Sequence, residues 1–273
     1  MLALAEYGAP AGEPVLVFHG LPGSRRQRHP DDAIALSLGA RMLHFDRPGF
    51  GRSHAAPRRT IAGFAGDVIA ACDFLGVDRV RLAGVSGGAP YALACAALLP
   101  DRVLKTAIVS GIGPPGSMPG SQMRLRNRLG ILIAPRAAWL VQPFAWAMRS
   151  LALDDPAGYL DMVAEALGPA DGQLLERPEV RAMFAEDLAE AFAQSSAPFT
   201  RDLALISGDW GFDLGAVRSP VRLWHGAEDR AIPASAAQAI AARVRRAELT
   251  LLPAEGHFLV FERWREILAW LLE

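Results

Sequence analysis

Lysine is nearly missing from this 273-residue chain: of its 28 basic residues only Lys105 is not an arginine. Any cationic surface is therefore built of guanidinium groups. The 29 acidic residues bring the formal net charge to −1. No global field is available to hold a polyanion, which argues against nucleic acid as a partner and withdraws the simplest support for a membrane-surface role. Cysteine is scarce too. Cys72 and Cys95 both lie in Ala-rich stretches of helical pattern, where a thiol behaves as a small hydrophobe, and neither a disulfide framework nor metal-ligand spacing is present. No metal or cofactor is expected. No run approaches the roughly 18 consecutive apolar residues of a membrane span, and Met1 to Glu6 has neither the basic region nor the long apolar core of a secretory signal. These absences leave a cytoplasmic protein acting on a small molecule as the expectation, as a monomer or homodimer.

What is present is a large apolar share. The chain is 51% hydrophobic and 21% charged, with mean hydropathy +0.18, and a chain of this length buries roughly three quarters of its unfolded surface. Short β-rich runs alternate with Ala/Leu-rich segments. The runs are Val15 to His19, Met42 to Asp46, Val80 to Val85, Val103 to Val109, Val221 to His225 and Leu249 to Leu252. Helical patterns fall near Thr60 to Leu75, Gly87 to Leu99, Ala234 to Val244 and Glu262 to Leu271, the last with Phe261, Trp264, Ile267, Leu268 and Leu271 at helical spacing. Such alternation predicts an α/β fold with a mostly parallel sheet of seven to eight strands flanked by helices.

The alternation breaks once. Between about Gly113 and Leu205 no strand pattern occurs, which divides the chain into a core of residues 1–112 and 206–273 and a helical cap over 113–205. The cap holds Met118, Met123, Met148, Met162 and Met183, with Trp139, Phe144, Trp146, Tyr159, Phe184, Phe192 and Phe199. These suit either an adaptable apolar pocket or plain packing of the cap on the sheet. Arg124, Arg126 and Arg128 run beside Leu125, Leu129, Ile131 and Ile133, a pattern of either an interfacial helix or, preferred here, a solvated face.

At the end of the third β-rich run the chain reads Gly84-Val85-Ser86-Gly87-Gly88, with a helical pattern following. A serine on a tight strand-to-helix turn projects its hydroxyl, and the next residue offers its backbone N–H. Serine needs a base within hydrogen-bond reach, and the base needs an orienting carboxylate. His257, in Ala254-Glu255-Gly256-His257-Phe258, and Asp229, in His225-Gly226-Ala227-Glu228-Asp229, each follow a β-rich run. Glu228 is the main competitor for the acid, and Asp202, Asp209 and Asp213 fit less well because they precede the relevant strand. His19, His29, His44, His54 and His225 are assigned structural or supporting roles. The turn His19-Gly20-Leu21-Pro22-Gly23-Ser24 follows the first run and supplies a second N–H, that of Leu21, beside Gly87 for a developing oxyanion.

With Asp46-Arg47-Pro48-Gly49-Phe50-Gly51-Arg52-Ser53 as a fifth motif, the chain resembles the α/β-hydrolase superfamily over nearly its whole length. The resemblance implies a serine hydrolase with catalytic Ser86, His257 and Asp229, an oxyanion hole at Leu21 and Gly87, and site-shaping roles for His19, Gly20 and Asp46. It implies a cap inserted after the sixth strand of eight. Few residues precede Val15, so either the first of the family's two antiparallel strands is absent or the chain is taken to start late. The reaction expected is cleavage of a small apolar carboxylic ester. Amide, thioester, lactone and carbon–carbon cleavage share the same oxyanion, and a non-catalytic receptor on this fold is a reading of another class. One of Arg25, Arg26, Arg28 and Arg52 is a candidate partner for a substrate carboxylate.

Overall fold

The computed structural model describes residues 1–118 and 128–273 in full and the backbone of 125–127. Met123, Arg124 and the side chains of Leu125 and Arg126, singled out above, lie outside the described residues.

Seven strands form one sheet: β1 (Leu4–Gly8), β2 (Glu13–Phe18), β3 (Ala40–Phe45), β4 (Val80–Val85), β5 (Val103–Val109), β6 (Val221–Gly226) and β7 (Ala247–Leu252). The spatial order is β1-β3-β2-β4-β5-β6-β7. Only β1 runs antiparallel, pairing Leu4 with Phe45 and Gly8 with Arg41. The β-rich runs all form strands, and β1 is an edge strand that their pattern alone did not reveal. A single antiparallel strand, β1, precedes the parallel ones along the described chain.

Alternate residues of each central strand serve opposite faces. Leu16, Phe18, Leu82, Ile108 and Leu223 pack into one core cluster. Their neighbours Val15, Val17, Ala83, Ala107, Val109 and Trp224 pack into another. The first cluster is closed by α2 (Ile61–Phe74), α3 (Ala89–Leu98) and α10 (Ser235–Ala241), the second by α1 (Ala33–Ser37) and α11 (Val260–Leu272). Burial on both faces explains why the strands read as continuous apolar runs. Thr60 caps α2 by accepting from Gly63 N–H at 2.9 Å, and α11 buries the five apolar residues its spacing selected.

Between β5 and β6 every described regular element is helical: α4 (Leu125–Ala137), α5 (Gln142–Asp154), α6 (Pro156–Leu167), α7 (Pro169–Leu175), α8 (Pro178–Ala191) and α9 (Ala197–Ser207). This insert has its own apolar cluster, in which Leu175, Phe192 and Leu160 pack with Phe261 of α11. The turns after β2, β3, β4, β6 and β7 meet at the carboxyl edge of the sheet beneath it, where doubly wound sheets bind their ligands.

Candidate active site

The turn after β4 is the tightest point of the core. Ser86 has φ of 51°, a left-handed conformation that a non-glycine residue adopts only where its surroundings enforce it. They do so here: a Cβ at Gly88 would overlap the Phe18 carbonyl, and one at Gly87 would lie 3.0 Å from Leu21 Cβ and 3.4 Å from Leu21 N. The missing side chains let α3 start against the end of β2 and bring Gly87 to the Leu21 turn. Pro90, in the first turn of α3, gives up an N–H with no intrahelical partner in any case.

Ser86 Oγ lies 3.0 Å from His257 Nε2. On the other side of the ring, His257 Nδ1 is 2.8 Å from Asp229 Oδ2. Asp229 Oδ1 accepts the N–H groups of Ala231 at 2.8 Å and Ile232 at 2.9 Å. The carboxylate is therefore held by its own loop and has one oxygen free for the histidine. Burial works against a charged His257, but the adjacent Asp229 carboxylate outweighs it and raises the imidazole above its ordinary range.

Three of the five competing histidines are buried and held by other partners. His225 Nε2 donates to the Ile232 carbonyl at 2.9 Å and lies 3.6 Å from Asp229 Oδ2, and burial keeps it neutral. His19 is buried against Arg47, and burial lowers it well below its usual value. His44 is pushed down to about 3 by burial and accepts no role as a base. Glu228, Asp209 and Asp213 are exposed.

A family model described as "Alpha/beta hydrolase family" matches residues 15–270. The chain belongs to this family. A relative from Caulobacter sp. (strain K31), named as a carbamate hydrolase RutD, is 28% identical over 255 residues, covering 92% of this chain and 87% of its own. A 2-hydroxymuconate semialdehyde hydrolase from Pseudomonas putida is 27% identical over 257 residues, with 92% and 83% covered. Among solved structures, the enol-lactonase from Burkholderia xenovorans LB400 superposes with a TM-score of 0.72 at 22% identity, over 99% of this chain and 96% of that one. The last is a likeness of fold.

In this α/β-hydrolase the remaining motifs serve as scaffolding. Asp46 is fully buried; its Oδ1 accepts Arg25 N–H at 2.7 Å and its Oδ2 accepts Arg52 N–H at 2.9 Å and Arg25 Nη1 at 2.5 Å. Arg47, a residue the sequence did not single out, donates to the carbonyls of His19 at 2.5 Å and Gly20 at 2.9 Å, so it fixes the Leu21 turn from behind. Gly20 N–H donates to Gln27 Oε1 at 2.6 Å.

Three buried carboxylates of the insert grip these core loops. Asp171 of α7 accepts the N–H groups of His257 at 2.9 Å and Phe258 at 2.7 Å, and burial raises its carboxyl. Asp187 of α8 accepts Ser24 N–H and Ser24 Oγ–H, both at 2.7 Å, and Gln27 Nε2–H at 2.9 Å; burial pushes it up to about 7. Asp202 of α9 accepts from Arg47 Nε at 2.6 Å, Arg59 at 2.6 Å and Tyr91 at 2.9 Å. Burial opposes its charge, yet Arg47 and Arg59 win and lower its carboxyl. Asp202 is thus a brace and not the acid of the site.

A cavity of about 330 Å³ opens over Ser86 and His257, within the range of small-molecule sites. Its far wall includes Phe144, Met148, Tyr159, Met162, Phe184 and Phe199 of the insert. Met183 and Phe192 pack behind that wall, whereas Trp139 and Trp146 are exposed. The four arginines proposed for a substrate anion fare poorly. Arg25 is buried between Asp46 and Glu190, Arg26 and Arg52 are exposed and do not line the cavity, and Arg28 lines it but pairs with Asp32 at 2.6 Å. Among the described residues, no cluster of three or more His, Cys, Asp or Glu is arranged to hold a metal, and no helix is long and apolar enough to cross a membrane.

Proposed function

We propose that this α/β-hydrolase cleaves a small, uncharged, largely apolar carboxylic ester through an acyl-enzyme on Ser86. One observation carries the proposal: the Ser86–His257–Asp229 hydrogen-bond chain ends in an apolar cavity beside the N–H groups of Leu21 and Gly87. Asp229 accepts the hydrogen bond of His257 Nδ1–H, which fixes the tautomer that leaves the Nε2 lone pair facing Ser86. His257 then accepts the Ser86 proton as Oγ attacks the ester carbonyl carbon. The carbonyl oxygen gains negative charge between the two backbone donors, each of which is worth on the order of 3 kcal/mol in such sites. On collapse, His257 gives its proton to the departing alcohol, and water activated by the same imidazole releases the acid and restores Ser86.

The insert, residues 113–205, acts as the cap that selects the substrate over a core of residues 1–112 and 206–273. An acidic substrate would need an uncommitted cation, and the one arginine or lysine among the described lining residues, Arg28, is already held by Asp32. This favours a neutral ester over a carboxylate-bearing substrate.

The test is covalent labelling followed by turnover. A fluorophosphonate should form one adduct, on Ser86, that is lost in Ser86→Ala and His257→Ala, and the enzyme should turn over neutral p-nitrophenyl esters faster than aminoacyl amides or acidic esters. A protein that binds ester analogues but gives no Ser86 adduct would be the receptor instead.

A further inference from the structure

Near-neutral overall charge conceals a segregated segment. From Arg102 to Leu153 the chain has seven basic residues and no acidic one, leaving 21 basic against 29 acidic residues elsewhere. The same segment carries an unusual concentration of exposed apolar side chains. Of eleven large hydrophobic residues exposed in the described structure, six fall within residues 129–146: Leu129, Leu132, Trp139, Leu140, Phe144 and Trp146. Trp139 is 73% and Trp146 62% exposed. Scattered apolar residues on a surface need no explanation, but two tryptophans and four neighbours on consecutive elements do.

The arrangement follows from helical spacing. In α4, Leu129, Leu132 and Arg136 stand at i, i+3 and i+7, and Arg128, Leu132 and Arg136 at i, i+4 and i+8, so exposed leucines and arginines share one side. Ile131, between them, lines the cavity. A short turn of 3₁₀ helix, Ala138–Leu140, presents Trp139 and Leu140 and leads into α5. There Trp146 is exposed, while Met148 lines the cavity. Arg128 and Arg136 are exposed and form no ion pair with a described residue. From packed neighbours, α9 adds exposed Arg201, and Asp209, which follows α9, shares a cleft with Arg136.

We propose that this outer face of α4, the 3₁₀ turn and α5 docks on an anionic phospholipid surface. Trp139 and Trp146 sit at the level of the headgroups, Leu129, Leu132 and Leu140 reach the acyl boundary, and Arg128 and Arg136 pair with lipid phosphates. Amphipathic indole rings favour that depth, and guanidinium groups beside apolar residues favour anionic leaflets. A second copy of the chain fits less well, because a two-fold contact would set a face on which Arg128, Arg136 and Arg201 outnumber Asp209 against itself. Docking places the cavity wall formed by Ile131 and Met148 next to the bilayer, a source of apolar substrate. The inference does not depend on which bond the site cleaves.

Cosedimentation of the full chain with phosphatidylglycerol–phosphatidylcholine vesicles and with phosphatidylcholine vesicles tests it by a readout independent of turnover. Binding should be confined to the anionic vesicles, weaken with salt, and shift tryptophan emission to the blue. The double variant Arg128→Glu/Arg136→Glu should bind at least about tenfold less. Trp139→Ser/Trp146→Ser should lose both binding and the blue shift, with far-ultraviolet circular dichroism unchanged in each. The proposal is overturned if the wild-type protein ignores both vesicle types or binds them equally. It is also overturned if light scattering shows a dimer that Trp139→Ser/Trp146→Ser makes monomeric, which would make the face a contact between copies.

Discussion

The loops at the carboxyl edge of the sheet and the helical insert above them divide the work of the site unequally. Ser86, His257, Asp229, Leu21 and Gly87 all belong to core loops, each one turn away from the end of a strand. The insert offers no group to the Ser86–His257–Asp229 chain, yet Asp171, Asp187 and Asp202 each bind a different core loop from fully buried positions. Asp171 and Asp187 grip backbone N–H groups, and Asp202 grips side chains whose other donors reach backbone carbonyls. A carboxylate that holds backbone is indifferent to the side chains of the loop it holds. These polar grips add to the apolar contacts that Phe258 and Phe261 of the core make with the insert, and together they hold the walls of the cavity in place.

If the core carries the chemistry and the insert carries the geometry, substitutions should separate by size. The largest loss is expected for Ser86→Ala, about 10⁶-fold in kcat with substrate binding retained; a modest loss would place the nucleophile elsewhere. Asp229→Asn should cut kcat about 10⁴-fold. It should also move the acidic limb of the kcat/KM profile to lower pH, because the Asp229 carboxylate is what raises His257.

Asp171→Asn removes one acceptor from two buried N–H groups and should cost about 1–3 kcal/mol of stability. Its kcat should fall far less than that of Asp229→Asn, and an equal fall would erase the distinction between the regions.

Asp187 sharpens the comparison through pH. Its folded carboxyl titrates near 7, against about 4 when unfolded. Between those values the unfolded chain has released its proton and the folded chain has not, so this group makes stability decline as pH rises from about 4 to about 7. Urea titrations across that window should show the decline flattened in Asp187→Asn. The smallest effect is expected for Arg28→Ala: kcat/KM for neutral and for acidic esters should each change less than about twofold, since the guanidinium is already paired and exposed ion pairs of this kind contribute little. A large loss confined to acidic esters would restore Arg28 as an anion-binding residue.

Much of the core was legible beforehand because its signals are local. A β-rich run followed by Gly-x-Ser-x-Gly or by Gly-His-Phe places a functional side chain within a few residues of a strand end, and parallel strands deliver all those ends to one edge. The run pattern did not reveal the edge strand β1, because four of its residues are half-buried and Glu6 is exposed, leaving no apolar run. Gln27 was missed because nothing in its own neighbourhood distinguishes a loop-fixing side chain from a solvated one, and Arg47, although inside the fifth motif, was given no role because its partners lie on other loops. The commitment of Arg25 was unreadable for the same reason: its partners are Asp46, 21 residues away, and Glu190, 165 away.

Sequence by itself determined the strand order's raw material, the strained serine turn, and the aspartate and histidine that follow β6 and β7. Each depends on contacts within one strand–turn–helix unit, where spacing along the chain is spacing in the molecule. Only the tertiary structure decided that Asp171 holds His257 across 86 residues, that Asp187 holds Ser24 across 163, and that Trp139 and Trp146 face outward while Met148 faces the cavity. Those outcomes depend on how the insert's helices pack on the core, and a helical pattern fixes the spacing of a face without naming what that face will meet.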